Sequence, residues 1–251
     1  MKIQVHILAF NEEDILPYTL RHYSQFATKI IVHDSFSTDR TREICKDYGA
    51  EVRDWDTGGV LNDNLSRELK STAWIGTDAD WVITADADEL IYFPKGVTQT
   101  LEEYDRNNIH IVQPYGYEMY SETFPTTTGQ IYDEVKHGAR DDRWYSKPIL
   151  FAPKRIEKLE FAPGAHQCHV TPNLGERYLV DNKNHKFTVP TCWLLHCKHL
   201  GPISRIGKKY DVQRTRLAEI NVKQKWGNFD PGEKHARDKR ANIIKHLEKL
   251  F

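Results

Sequence analysis

Cysteine is scarce: Cys45, Cys168, Cys192 and Cys197 are the only four in 251 residues. Their spacing forms no disulfide framework for a chain of this size. Paired C-x2-C knuckles are also missing, although His166, Cys168, His169, Cys192, His196, Cys197 and His199 supply ligand types, so a structural zinc site is disfavoured. No apolar run approaches the roughly 18 residues of a membrane-spanning helix. Glycine and proline, 14 and 11 residues, are not enriched, and neither a repeat nor a low-complexity linker occurs, which excludes a disordered polypeptide. Met1 to Phe10 carries one lysine and a short apolar stretch before the acidic Glu12-Glu13-Asp14. That pattern is a first β-strand rather than a secretory signal. The expected compartment is the cytoplasm or an equivalent reducing one.

Charge is abundant and unevenly divided. Residues 1–125 hold 11 Lys and Arg against 22 Asp and Glu, whereas residues 126–251 hold 24 against 14. A basic second half fits an anionic partner, such as a diphosphate, a lipid phosphate or a nucleic acid, and equally a solvated helical surface. The length suffices for one large α/β domain or two small ones.

The first ninety residues alternate regularly. Ile3 to Phe10, Lys29 to His33, Ala50 to Trp55 and Trp81 to Thr84 read as strands. Between them lie three helical patterns. The first is capped by Asp14, has Pro17 in its first turn, and carries the stripe Leu16, Leu20, Tyr23 and Ala27; the second runs through Ile44 and Tyr48 to Gly49; the third spans Leu61 to Trp74. This order predicts a mostly parallel, doubly wound sheet whose ligands bind beyond the carboxyl ends of the strands. Later, Ile109 to Tyr120 and Trp193 to Lys198 read as strands. The last forty-odd residues read as helical and basic, with Ile243, Ile244, Leu247 and Leu250 as an apolar stripe.

Three predicted strand ends are acidic. Asp86 and Asp88 follow Trp81-Val82-Ile83, and alternation along an extended segment puts them on one side. Two carboxylates so close repel unless a cation sits between them. Oxygen ligands of this kind suit Mn2+ or Mg2+, which commonly bridge carboxylates to a substrate diphosphate. Phe10-Asn11-Glu12-Glu13 follows the first strand, and Asp34-Ser35-Phe36-Ser37-Thr38-Asp39 the second. Glu13 and Asp39 fit helix capping. Asp34, placed before the turn, fits a ligand role toward a nucleobase N–H or ribose hydroxyls. His196 and Lys198, two apart in a strand-like run, project together. An imidazole there can complete a metal's coordination, and an ammonium can neutralise a departing diphosphate.

In order and spacing, Asn11-Glu12-Glu13, Asp34-Ser35-x-Ser37-Thr38-Asp39, Lys70 and Trp81-Val82-Ile83-x-x-Asp86-Ala87-Asp88-Glu89 resemble family 2-like glycosyltransferases over residues 1–95. Gly164-x-His166 and Leu194-Leu195-His196-x-Lys198 look like later landmarks of such enzymes. The resemblance implies a GT-A fold in a single domain, with a nucleotide-sugar-binding half, 1–95, and an acceptor-side half with C-terminal helices, 96–251. It implies a metal-dependent enzyme using a nucleotide diphosphate sugar, a UDP-sugar by expectation, with inversion at the anomeric carbon. Phe10, Asn11, Glu12 and Asp34 would then hold base and ribose, Asp86 the ribose, Asp88 and His196 the metal, and Lys70 and Lys198 the phosphates. Phe36 replaces the small residue usual in the turn, and Ser71 stands where an Asn often follows the basic residue. His166 is the expected catalytic base, with Asp141 and Asp142 as carboxylate alternatives. The basic tail, including Arg205, Lys208 and Lys209 near the active-site rim, fits a polyanionic acceptor, nucleic acid among them. A sugar nucleotidyltransferase is the rival enzyme class, but it should carry a glycine-rich basic loop where this chain has Asn11-Glu12-Glu13. A nucleic-acid-binding module on a degenerate scaffold is opposed by intact Asp34, Asp86 and Asp88.

Overall fold

The structure, a computed structural model, describes residues 1–141, 143–172 and 192–251. The chain begins with strand β1 (Ile3–Ala9), helix α1 (Leu16–Tyr23), β2 (Lys29–Asp34), α2 (Thr41–Asp47), β3 (Glu51–Asp54), α3 (Asp63–Thr72) and β4 (Trp81–Asp86). These strands pair in parallel in the order β3-β2-β1-β4. Val5, Ile7, Ile31, Val32, Val82 and Ile83 are fully buried, as is usual for the inner strands of a parallel sheet. Strand order reverses direction between β1 and β4, so a crevice opens at the carboxyl ends of these two strands.

After β4 the chain turns at Asp88 and enters β5 (Glu89–Tyr92), followed by α4 (Val97–Arg106), β6 (Ile111–Val112), β7 (Tyr115–Tyr120), α5 (Ile131–Glu134), β8 (His137–Arg140) and β9 (Leu150–Phe151). Strands β10 (Ile156–Phe161) and β11 (Cys168–Pro172) form a separate antiparallel pair. Strand β12 (Trp193–His196) leads to helices α6 (Ile203–Thr215), α7 (Glu219–Gln224) and α8 (Gly232–Lys245), and the last strand is β13 (Leu247–Lys249). β9 and β6 extend the first sheet beyond β4, and a second sheet has the order β13-β8-β7-β12-β5. β12 runs antiparallel to β5, with His196 opposite Glu89, which brings the late histidine beside the acidic turn.

Three boundaries differ from the sequence reading. The strand expected over 109–120 is broken between β6 and β7 at Gln113-Pro114, where proline offers no N–H to a ladder. The C-terminal helix ends at Lys245; Leu247 then pairs with Ala139 across β13 and β8, and Leu250 packs against the main core. The four-residue apolar stripe is therefore not one helix face, and Ile244 is half-exposed. Asp14 does not cap α1. The cap position is Ile15, without a side-chain bond, and Asp14 instead meets Arg205 Nε at 3.1 Å.

Helix α1 supports the acidic turn from behind. The Thr19 hydroxyl donates to the Ala87 carbonyl at 2.5 Å, and the Tyr23 hydroxyl to the Glu89 carbonyl at 2.9 Å. Both side chains are buried, so the turn after β4 rests on a rigid floor.

Buried histidines make this fold acid-sensitive. His6 and His33 stack on β1 and β2 with ring nitrogens 3.0 Å apart, and His22 Nε2 lies 2.9 Å from the Ile91 carbonyl. Burial pushes His6 down to about 3 and both His22 and His33 down to about 4. Above the unfolded value of about 6.5 both states are neutral, and these groups leave stability unchanged with pH. Below it the unfolded chain binds protons first, so stability falls until the folded values are reached. His22 alone should account for roughly 2 kcal/mol of loss between pH 6.5 and 5. Urea midpoints at pH 7 and pH 5 check this, and coincident midpoints refute it.

Candidate active site

The crevice at the ends of β1 and β4 is a cleft of about 550 Å³, walled by the strand-end loops, α3, the Gly164-Ala165 turn and α6. Phe10, Asn11, Glu12, Lys70, Asp86, Asp88, His196 and Lys198 all line it. Asp34 and His166 do not, although Ser35, Gly164 and Ala165 do.

The first two strand ends are zipped together. Asn11 sits at φ 53°, its N–H donates to Ser37 Oγ at 2.8 Å, and its Oδ1 accepts from the Thr38 N–H at 2.7 Å. The Glu12 N–H donates to Thr41 Oγ1 at 2.8 Å. Glu13 accepts from the Arg40 N–H and Asp39 from the Thr41 N–H, tying both carboxylates to the start of α2. Asp34 is fully buried; its Oδ2 accepts from the Ser37 N–H at 3.1 Å and from Arg42 at 2.9 Å. Its Oδ1 is buried with no hydrogen-bond partner among the described residues. Phe36 takes φ 55° at the tip of this turn, a conformation that favours small residues, and is half-exposed. Ser71, the other departure from the family pattern, ties α3 to β10 by accepting from the Phe161 N–H at 3.0 Å.

The two aspartates after β4 have different surroundings. Asp86 Oδ1 lies 2.7 Å from Lys70 Nζ, and its Oδ2 lies 3.1 Å from Lys147 Nζ. Lys147 also bonds Glu89, which is 1% exposed, and Glu89 accepts from the Asp86 N–H at 3.0 Å. Desolvation in the cleft would raise the Asp86 carboxyl, but the two ammoniums outweigh it and hold the group far below the carboxylate range. Desolvation likewise works against the Lys147 charge, and Glu89 and Asp86 reverse it, so that ammonium is firmly protonated. The cations beside Asp86 are thus the protein's own lysines.

Asp88 faces a single ion-pair partner among the described residues, Lys209 Nζ at 3.4 Å. Desolvation opposes its charge, yet Lys209 and Lys198 bring the carboxyl down to about 2. Lys209 Nζ also lies 2.7 Å from Glu12, whose carboxyl desolvation raises despite that contact. His196 directs Nε2 to the Tyr145 carbonyl at 2.8 Å and Nδ1 toward Glu89 at 3.6 Å. Lys198 donates to Gln213 Oε1 at 2.9 Å and sits 4.4 Å above the Tyr210 ring, and desolvation lowers its pKa. No carboxylate lies within ion-pairing distance of Lys198 among the described residues. Among the described residues, no group of three or more His, Cys, Asp or Glu side chains is placed to hold a metal ion.

His166 stands beside the cleft, its ring edge-on to Trp144 at 6.3 Å and its Nδ1 buried without a hydrogen-bond partner among the described residues. Desolvation, then the nearby Lys147, lower it to about 4. Asp141 accepts from the Arg143 N–H at 3.0 Å in the turn that leads to Lys147, and Asp142 lies outside the described residues. Lys208 is exposed at the rim while Lys209 enters the cleft, so this basic pair does not form one outer patch. Lys147 has no signal in the sequence. It arrives because the Tyr145-Ser146 backbone runs against β7 at Gly116, where a Cβ would come within 2.1 Å of Tyr145. Arg216, which the sequence marks only as part of the basic field, lies over the Phe10 ring at 3.2 Å.

A mostly parallel sheet with acidic strand ends, opening at its switch point into a lysine-lined cleft, is the architecture of the GT-A fold. The sequence profile of glycosyl transferase family 2 matches residues 4–201, and the chain belongs to that family. Among solved structures, TarS of S. aureus matches at 14% identity and a TM-score of 0.43, over 98% of this chain and 43% of that one. TarS residues 1–349 match at 14% identity and 0.42, over 94% and 68%. Glucosyl-3-phosphoglycerate synthase from Mycobacterium tuberculosis, in complex with Mn2+, UDP and glucosyl-3-phosphoglycerate, matches at 22% identity and 0.34, over 48% of this chain and 44% of that one. The chain spans less than half the length of that synthase. No curated protein matches it. No helix among the described residues is long and apolar enough to cross a membrane.

Proposed function

We propose that the protein transfers a sugar from a UDP-sugar to an acceptor hydroxyl, with inversion and with a divalent cation, Mn2+ or Mg2+, at Asp88. The observation that carries this reading is the juxtaposition, in one cleft, of ionised Asp88 with the ammonium of Lys198, which has no carboxylate of its own among the described residues. That pair suits a metal-bound diphosphate: an anion site for the cation and a cation site for the anion.

The donor set fits such a metal. Ions that act on phosphates are held by one or two carboxylates plus the substrate and water, not by an all-protein cage. Asp88 supplies the carboxylate of that pattern, and His196, which lines the same cleft with Nε2 on the Tyr145 carbonyl, would have to turn from that contact to serve as a second ligand. When bound, the ion would supply Lewis-acid stabilisation of charge on the departing diphosphate. Lys198 neutralises the same charge from the protein side. Phe10, Asn11 and Glu12 hold the base and ribose, and Asp86, oriented by Lys70 and Lys147, meets the ribose hydroxyls. Lys70 lies at the phosphate side of that contact. His166, kept neutral, takes the acceptor proton.

Asp34 does not line the cleft, but the neighbouring Ser35 does. The buried Oδ1 of Asp34 has no hydrogen-bond partner among the described residues, and we assign it to a base N–H of the donor. Asp34→Ala should weaken UDP binding by about 1.5–3 kcal/mol, the worth of a hydrogen bond to a charged group. Titration calorimetry with UDP and GDP, with and without Mn2+, tests the reading. Tighter UDP than GDP binding, enhanced by Mn2+ and weakened in the variant, is expected. Binding of neither nucleotide under any condition would refute the proposed function.

A further inference from the structure

Helix α6 presents a polar stripe to the cleft. Arg205, Lys209 and Gln213 recur every four residues, with Arg216 three further on, so they share one face. Each member reaches a different part of the cleft: Arg205 meets Asp14, Lys209 meets Glu12 and Asp88, Gln213 meets Lys198, and Arg216 covers Phe10. The helix is fixed from behind by packing of Ile206 and Tyr210 on Ala236 of α8. Its end is anchored where the Ala218 N–H donates to the Leu61 carbonyl at 2.9 Å.

Within this stripe Lys209 bridges carboxylates from two strand ends, 2.7 Å from Glu12 and 3.4 Å from Asp88. We propose that Lys209 is a built-in counter-cation, which holds Asp88 in the free enzyme, yields it to the divalent ion, and then pairs with the donor diphosphate. The inference rests on the proposed function. A divalent ion on Asp88 would lie within a few ångströms of this ammonium, and like charges at that separation repel. A lysine stem is flexible enough to move its charge, and Glu12 keeps it at the cleft. A diphosphate supplies enough negative charge for both cations. Metal alone must therefore displace an ammonium, whereas metal with diphosphate need not. The two ligands should bind with positive and reciprocal coupling.

Calorimetry on the whole chain tests this with Mn2+ alone, UDP alone, and UDP at saturating Mn2+. In Lys209→Met, Mn2+ alone should bind about tenfold more tightly and UDP at saturating Mn2+ about tenfold more weakly, an effect within the usual range of coupling between sites. Lys209→Arg, which keeps the charge, should resemble the wild type. Lys209→Gln carries the same expectation as methionine and serves if that variant fails to fold. Mn2+ affinity unchanged or weakened in the neutral variants, with the wild type binding both ligands, overturns the role of Lys209 alone. A wild type that binds neither Mn2+ nor UDP overturns the proposed function instead.

Discussion

Asp88→Asn should lower metal-dependent turnover of the UDP-sugar by about a thousandfold or more, while the protein stays folded. The expectation follows from what Asp88 contacts. Its carboxylate faces the cleft, has its pKa held down at about 2, and has one lysine partner among the described residues, which Glu12 also holds. Asparagine keeps the shape and removes the charge. Lys209 then retains Glu12, so no ammonium is stranded and the fold should be kept, with a stability change of about 1–2 kcal/mol. Transfer loses the carboxylate that holds the cation, and with it several kcal/mol of transition-state stabilisation. At 1.36 kcal/mol per factor of ten, that loss is about three decades. Hydrolysis of the UDP-sugar at varied Mn2+, followed beside thermal unfolding, provides the measurement. Activity within tenfold of wild type at saturating Mn2+ would remove Asp88 from the metal site.

The contrast with Asp86 shows where sequence reasoning stopped. Both aspartates line the same crevice, but Asp88 sits in the turn after β4 rather than on an extended segment, so strand alternation is not what places it there. The apolar runs that begin near Ile3, Lys29 and Trp81 mark three of the four parallel strands. These are local signals, because a parallel strand buried on both faces must be apolar almost throughout, whereas the edge strand β3, Glu-Val-Arg-Asp, is largely exposed. The charge balance around the pair is not local. Lys147 lies 61 residues beyond Asp86, in a Trp-Tyr-Ser-Lys-Pro stretch with no helical or strand period, and only the close approach of Tyr145 to Gly116 brings it in. Repulsion between Asp86 and Asp88 pointed to a cation between them; two buried lysines already serve Asp86, leaving Asp88 for the cleft.

Helix α6 was half legible. Its basic residues were expected near the rim, and the spacing of Arg205, Lys209 and Gln213 is that of a helix face. Which strand ends that face meets depends on long-range pairing of β12 with β5 and of Leu61 with Leu217, for which the sequence has no code. His166 shows the same limit. Its glycine-rich setting marks a turn, but whether the ring or the Gly164-Ala165 backbone faces the cleft is decided by packing against Trp144.

Removing the Lys147 charge should damage the fold more than the chemistry. Lys147→Met leaves Glu89, which is 1% exposed, as a buried carboxylate with no ammonium within 4 Å among the described residues, held only by the Asp86 N–H and the His196 ring at 3.6 Å. Asp86 keeps Lys70 at 2.7 Å, so the cost falls mainly on Glu89. Breaking a buried ion pair by deleting one partner typically costs about 3–5 kcal/mol, since the remaining charge keeps its desolvation penalty. Urea denaturation of Lys147→Met should show a loss of that size. Glu89→Gln removes the opposite charge and can still accept from the Asp86 N–H through its amide oxygen. The double variant Lys147→Met with Glu89→Gln should therefore recover most of the stability lost in the single lysine variant. The resulting coupling energy, obtained from a four-member cycle, should exceed about 1 kcal/mol for groups in direct contact. A Lys147→Met protein within about 1 kcal/mol of wild type would mean that the pair is solvated in the folded protein. An additive cycle would mean that Lys147 acts on Asp86 alone.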